Sequence, residues 1–189
     1  QGWYRHRREV VEDAAPNAGH HALADLEAHV PSMAVVTQNV DDLHNRAATS
    51  TVIELHGNIT DHYCMDCEQT VGAAAVDAAI QDGEPARCPD CNGLVRPDVV
   101  WFGEMLPPDA MEQADATTEQ ADVFLSVGTS AVVYPAARLP VAAREQGAYV
   151  AEVNPDTTGV TDDVHETIRG PAGDVLPALV DAVAARQRP

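Results

Sequence analysis

The chain of 189 residues contains no lysine. Its basic residues are all arginine; eleven of them face thirty acids, and the net charge is −19. A surface of that sign repels a phosphate backbone, which argues against non-specific nucleic-acid binding. It also repels itself in dilute buffer and is tolerated where salt screens the charge. Aspartate outnumbers glutamate and the acids are scattered rather than gathered in a tail. We read this as a halophilic surface, with an acidic face for a basic partner as a compatible alternative. No apolar run approaches the length of a membrane span. No targeting segment is visible, so a cytoplasmic location is expected. The Gly-x-Gly-x-x-Gly turn of dinucleotide-binding folds is missing. Gln1–Val10 reads as helix interior without a start methionine or a capping residue, so the true beginning is expected upstream.

Cysteine is scarce too, but its four copies are spaced as Cys64-x2-Cys67 and Cys88-x2-Cys91, with twenty residues between the pairs. Each C-x-x-C turn aims two sulfurs at one point, and two turns supply the four thiolates of a closed tetrahedral zinc site. Such a site has no position open to water or substrate, so catalysis is expected elsewhere. Pro89 and Gly93 supply turn geometry around the second pair. The alternative is two disulfides or four free thiols.

A hydrophobic content of 45% supports one ordinary domain with a small insertion. Helices are expected over 2–14, from an Asn17 cap onward, at 42–48, 71–81, 108–120, 135–146 and 174–185. Strands are expected at 34–37, 51–55, 122–127 and 148–153. Their alternation predicts an α/β fold with a doubly wound, Rossmann-like parallel sheet. The cysteine segment interrupts the alternation as a small zinc-ribbon lobe. The expected division is residues 1–62 and 96–189 for the nucleotide-binding domain and 63–95 for the zinc lobe, with residues 1–15 as a possible helical part of that lobe. Ligands of such sheets bind beyond the carboxyl ends of strands. Three of those ends carry polar loops: Thr37-Gln-Asn39, Gly128-Thr-Ser130 and Asn154-Pro-Asp156.

Thr37-Gln-Asn-Val-Asp-Asp-Leu-His44 crowds amides and carboxylates at one strand end, and His56-Gly57 follows the next. Turn-forming and helix capping would account for the first cluster by themselves. Together with the four cysteines, Arg96-Pro-Asp-Val-Val-Trp-Phe-Gly-Glu104, Gly128-Thr-Ser130 and the Asn154 segment, in this order and spacing, these motifs resemble the sirtuin family of NAD-dependent protein deacylases over essentially the whole chain. The resemblance implies NAD consumed as a co-substrate, one structural zinc ion, and acylated protein lysine as the partner. His56 would be the base that takes a proton from a ribose hydroxyl of NAD. Gln38, Asn39, Val40 and Asp41 would hold the nicotinamide and its ribose. Gly128, Thr129 and Ser130 would meet phosphate and ribose, Asn154, Pro155 and Asp156 the adenosine ribose, and Ala172 the adenine. For Thr129 and Ser130 strand-end capping is the rival account.

Val99–Glu104 resembles the family's substrate-pairing strand, with Val100, Phe102, Gly103 and Glu104 as contacts; Val99, Val100 and Trp101 would otherwise be core. Tyr4-x-x-Arg7 matches the pair found in the sirtuin class associated with acidic acyl groups. Three residues apart on a helix, the two side chains share one face. A phenol hydroxyl and an arginine fork can jointly bind the carboxylate of a succinyl or malonyl chain. The rival is that Arg5, Arg7 and Arg8 form a solvated basic face. The family's Gly-Ala-Gly-x-Ser turn and Phe-Arg segment, both NAD-binding, are absent from the 189 residues, and weak NAD binding and slow turnover are expected of the chain as it stands. Non-catalytic readings are a zinc-ribbon interaction module or a remnant; protein ADP-ribosylation is the other enzymatic one.

Overall fold

Residues 2–81 and 84–187 are described by a computed structural model of the chain. Helix α1 spans Gly2–Asp13 and ends ahead of Pro16, as expected. Asn17 caps α2, Ala18–Leu26, with its side-chain oxygen accepting from the Gly19 and His20 amides. The His20 ring accepts from the Asn17 amide in return, which closes a capping box around the first turn.

Strand β1, Val35–Thr37, pairs in parallel with β2, Val52–Glu54; the four-residue helix α3, Leu43–Arg46, lies between them. The chain then leaves the parallel layer along β3, Gly57–Cys64, and returns along β4, Val95–Val99. These two strands are antiparallel, with an irregularity between Asn58 and His62. Helix α4, Ala73–Gln81, lies between them in sequence. Cys64, Val71, Val76, Ala86, Cys88 and Val95 form the buried cluster of this small lobe.

Helix α5, Pro108–Glu119, leads to β5, Val123–Val127. A short 3-10 turn and α6, Leu139–Glu145, precede β6, Tyr149–Val153. Strand β7, Glu166–Ile168, completes a three-stranded parallel sheet in the order β5-β6-β7. The closing helix α7, Ala172–Gln187, packs against α2.

The architecture is α/β with parallel sheets, as expected, but the parallel strands form two sheets rather than one. Among the described residues no strand hydrogen-bonds both β1 and β5. Val36 of β1 and Phe124 of β5 nevertheless border one core cluster, built on Ile53, Leu55, Ala114, Ala136 and Leu139. Strand β5 is paired on one side alone, so Val123, expected in a buried strand, is exposed. A second departure lies at 99–102: the strand stops at Val99, and residues 100–104 form a turn. The Glu104 amide donates to the Trp101 carbonyl (3.0 Å), and Gly103 takes a φ of 89°. The Val100 amide still reaches the His56 carbonyl (3.0 Å), but the Trp101 amide is satisfied by the Glu104 carboxylate (2.8 Å), which closes the turn.

Candidate active site and metal centre

The two cysteine pairs fold as copies of one another. In each, the first cysteine's carbonyl accepts from the residue four positions on, Glu68 or Asn92, and its amide donates to the carbonyl five positions on, Gln69 or Gly93. Glu68 and Asn92 both adopt positive φ, 59° and 64°, which closes the loop. A Cβ on Gly93 would stand 2.8 Å from the Cys64 sulfur and 2.5 Å from an Asp66 carboxylate oxygen, so glycine is required at that point. All four sulfurs lie within 4.8 Å of one another. Cys64 and Cys91 approach to 3.4 Å, Cys67 and Cys88 to 3.7 Å. Tetrahedral zinc–thiolate bonds of about 2.3 Å separate sulfurs by about 3.8 Å, whereas a disulfide needs about 2.0 Å. The geometry fits the metal and not the disulfides. The Asp66 amide donates to the Cys64 sulfur (3.4 Å), a contact that favours thiolate. A soft four-sulfur set suits zinc.

The polar loops converge at the carboxyl ends of the parallel strands. His56 Nδ1 lies 2.9 Å from the Gln38 carbonyl oxygen. A carbonyl only accepts, so Nδ1 carries a proton, and in the neutral ring the lone pair is on Nε2. Gly57 follows with φ 75°, and a Cβ there would stand 2.1 Å from the Asp98 carbonyl oxygen. Glycine thus lets the first residue of β3, next to His56 in the chain, approach the β4 backbone closely. Gln38 Nε2 donates to Thr129 Oγ1 (3.4 Å), joining the ends of β1 and β5. Thr129 Oγ1 also accepts from the Ala131 amide. Asn154 is buried; its Nδ2 donates to the Thr129 carbonyl (2.9 Å) and its Oδ1 accepts from the Asp156 amide (3.1 Å). Gly128, at φ 61°, donates its amide to the Val153 carbonyl. A line of hydrogen bonds therefore runs from His56 through Gln38 and Thr129 to Asn154 and Asp156. Ser130, Pro155 and Asp156 are exposed beside it, and half-buried Ala172 opens α7, its backbone against Gly19.

Asn39 is exposed and Val40 half-buried; the Val40 carbonyl accepts from the Ile59 amide. Asp41 Oδ1 accepts from the Leu43 amide as α3 begins. Near Asp41 the rings of His20 and His44 meet with centroids 4.8 Å apart. Burial lowers both imidazole pKa values; repulsion from His20 adds to the effect at His44, and the Asp41 carboxylate opposes it at both. This pair carried no signal in the sequence, where twenty-four positions separate its members.

The Val100–Glu104 turn is organised by Arg96, a residue that sequence reasoning passed over. Its guanidinium forks onto Glu104 (2.6 and 2.9 Å), and Nη2 also donates to the Val99 carbonyl (2.7 Å). The Arg96 bond, and next the Trp101 amide, hold the Glu104 carboxyl down at about 2. Trp101 covers Arg96, whose guanidinium carbon lies 3.6 Å from the indole centroid, and Tyr4 stacks on Trp101 at 6.3 Å. Phe102, Gly103 and Met105 are exposed, and Val100 is half-buried. The rival account, a solvated basic face on α1, is only partly realised. Arg5 and Arg7 are exposed, but Arg8 is buried and paired with Asp77 of α4 and Glu12. Buried Glu152 was also missed; it accepts from Thr161 Oγ1 (2.7 Å) and Thr158 Oγ1 and faces Arg169.

The metal cluster and His56 sit at opposite ends of β3, so roughly 20–25 Å of extended chain separates them. Among the described residues no helix is long and apolar enough to cross a membrane.

The chain is 46% identical over 186 residues to NAD-dependent protein deacylase 2 of Pyrobaculum aerophilum, covering 98% of this chain and 73% of that protein. It is 45% identical to NAD-dependent protein deacylase 1 of Pseudomonas aeruginosa, covering 95% of this chain and 73% of that one. A solved Sir2 homolog–NAD complex superposes with a TM-score of 0.91 at 43% identity, over 98% of this chain and 71% of its own. The family model described as Sir2 family matches residues 1–135. With the deacylase relatives, the NAD-bound structure and the family model in agreement, the chain belongs to the Sir2 family.

Proposed function

We propose that the protein is an NAD-dependent protein-lysine deacylase that removes acetyl groups and, through Tyr4 and Arg7, succinyl and malonyl groups. The observation that carries the reading is the hydrogen-bonded line from His56 to Asn154, which begins at an imidazole whose Nδ1 faces the Gln38 carbonyl. Relatives of this chain have been solved with NAD, with an acetylated peptide, and with 2'-O-acetyl ADP ribose.

In this reading NAD is a substrate. Gln38, Asn39, Val40 and Asp41 orient the nicotinamide and its ribose. Gly128, Thr129 and Ser130 meet phosphate and ribose, Asn154, Pro155 and Asp156 the adenosine ribose, and Ala172 the adenine. The bond between nicotinamide and the ribose anomeric carbon breaks as positive charge develops on the sugar, next to Asp41. The acyl oxygen of the modified lysine bonds to that carbon. His56 Nε2 accepts the proton of a ribose hydroxyl as that oxygen bonds to the acyl carbon. The bond from the acyl carbon to the lysine nitrogen breaks, the amine leaves with a proton, and one water adds to the acyl carbon as its bond to the anomeric oxygen breaks. The products are nicotinamide, free lysine and O-acyl-ADP-ribose. Val100, Phe102, Gly103 and Glu104 form the peptide-binding segment, where main-chain hydrogen bonds give affinity with little sequence preference. Zinc on Cys64, Cys67, Cys88 and Cys91 holds residues 63–95 as a lobe beside a nucleotide-binding domain of residues 1–62 and 96–189. The charge supports a salt-rich cytoplasm as the setting.

The acyl preference is tested by Arg7→Met. Loss of a charge-assisted fork costs about 1.5–3 kcal/mol, roughly 10–150-fold. That loss is expected in kcat/KM for succinyl-lysine peptide, with acetyl-lysine turnover changed little. Equal losses on both peptides would remove the carboxylate clamp and leave the deacylase.

A further inference from the structure

Arg96 is 8% exposed in a chain whose arginines are mostly on the surface. It reaches four parts of the molecule. Its fork fixes Glu104, Nη2 fixes the Val99 carbonyl at the last residue of β4, its planar face supports Trp101, and Tyr63 of β3 lies 5.7 Å away. The turn it holds is pinned twice more. The Trp101 amide donates to Glu104 Oε2 (2.8 Å), and the Val100 amide donates to the carbonyl of His56 (3.0 Å). Beyond these anchors the loop turns Phe102 and Met105 fully or almost fully to solvent.

As a way of filling space this is costly. A buried guanidinium must be desolvated, and Arg96 Nε has no hydrogen-bond partner among the described residues. An apolar side chain of similar volume is often as stable or more so in such a place. What an apolar residue does not supply is direction: the planar fork sets the Glu104 carboxylate, and through it the 101–104 turn, in one orientation. The indole stacked on the same plane carries that constraint to Tyr4 of α1.

We propose that Arg96 is a positioning residue for the acyl-peptide substrate. It presets residues 100–104 in the form that receives the peptide and ties that loop to the backbone of His56 on one side and to Tyr4 on the other. The proposal rests on the reading of 100–104 as the peptide-binding segment.

The test is steady-state kinetics of the full chain with NAD and acetyl-lysine peptide, for Arg96→Met, Arg96→Lys, Trp101→Leu and Phe102→Ala. Misplacing a binding element by about 1 Å costs on the order of 100-fold. Arg96→Met and Trp101→Leu are therefore expected to raise the peptide KM on the order of 10- to 100-fold. The KM for NAD and the zinc content should stay near wild type. Arg96→Lys keeps the charge but loses fork and plane, and is expected not to rescue. Should Arg96→Met fold poorly, Trp101→Leu, which leaves the Arg96–Glu104 pair intact, carries the test. The proposal is overturned if both variants leave the peptide KM unchanged, if the KM for NAD rises in parallel, or if lysine restores wild-type kinetics. Phe102→Ala separates the two failures: an unchanged peptide KM in that variant removes the peptide-binding reading itself, and the Arg96 proposal with it.

Discussion

At the scale of single residues, the chemistry depends on which atoms are already engaged. His56 Nδ1 faces a carbonyl, so Nε2 is the basic atom, and no other tautomer makes the Gln38 contact. Glu104 shows the same logic for a charge. Its carboxyl is held at about 2 by Arg96 and the Trp101 amide, against an ordinary value of 4.5. A folded-state pKa below the unfolded one contributes stability that is complete above about pH 4.5 and is lost as pH falls toward 2. Glu104→Gln should therefore differ from wild type in acid unfolding by a constant amount above that range, and the difference should shrink below it. A difference that grows as pH falls would mean that the ion pair does not set the Glu104 titration.

At the scale of elements, sequence and structure agree where the information is local. Two C-x-x-C turns specify their own geometry within six residues each, and Asn17 three positions before His20 specifies a helix start. What the sequence hid was contact across distance. Arg96 and Glu104 meet because a turn intervenes, and Glu152 is buried because Thr158 and Thr161 fold back over it. The run 99–104 has the composition of a strand, yet among the described residues strand pairing ends at Val99, and beyond it the Trp101 amide bonds to the Glu104 carboxylate and the segment turns. The metal lobe belongs to this scale as well. Among the described residues its buried core is six side chains, two of them cysteines of the metal cluster, a core small enough for metal binding, worth about 10–16 kcal/mol in small structural zinc sites, to dominate its folding energy. Chelation should unfold α4 and the β3–β4 tip, seen as lost amide-exchange protection over 63–95, while β5–β7 stay protected. Protection unchanged after the metal is removed would show that the lobe folds without it.

At the scale of the whole molecule, the charge of −19 dominates. Lowering salt from about 1 M to about 0.01 M lengthens the screening distance from about 3 Å to about 30 Å, and self-repulsion then acts across the domain. Each 1 kcal/mol lost lowers the melting temperature of a chain this long by about 2–4 °C. A fall of several degrees is expected over that range, and indifference to salt would undo the halophile reading.

In the proposed function one site, from His56 to Asn154, joins NAD cleavage to lysine deacylation. Product analysis after incubation with NAD and acyl-lysine peptide at high salt tests it most directly. Nicotinamide, free lysine and O-acyl-ADP-ribose are expected in equal amounts, with a loss of about 10²–10⁴-fold in His56→Ala that keeps its fold and zinc. ADP-ribose attached to protein, or no nicotinamide release from folded, zinc-loaded protein, would contradict it.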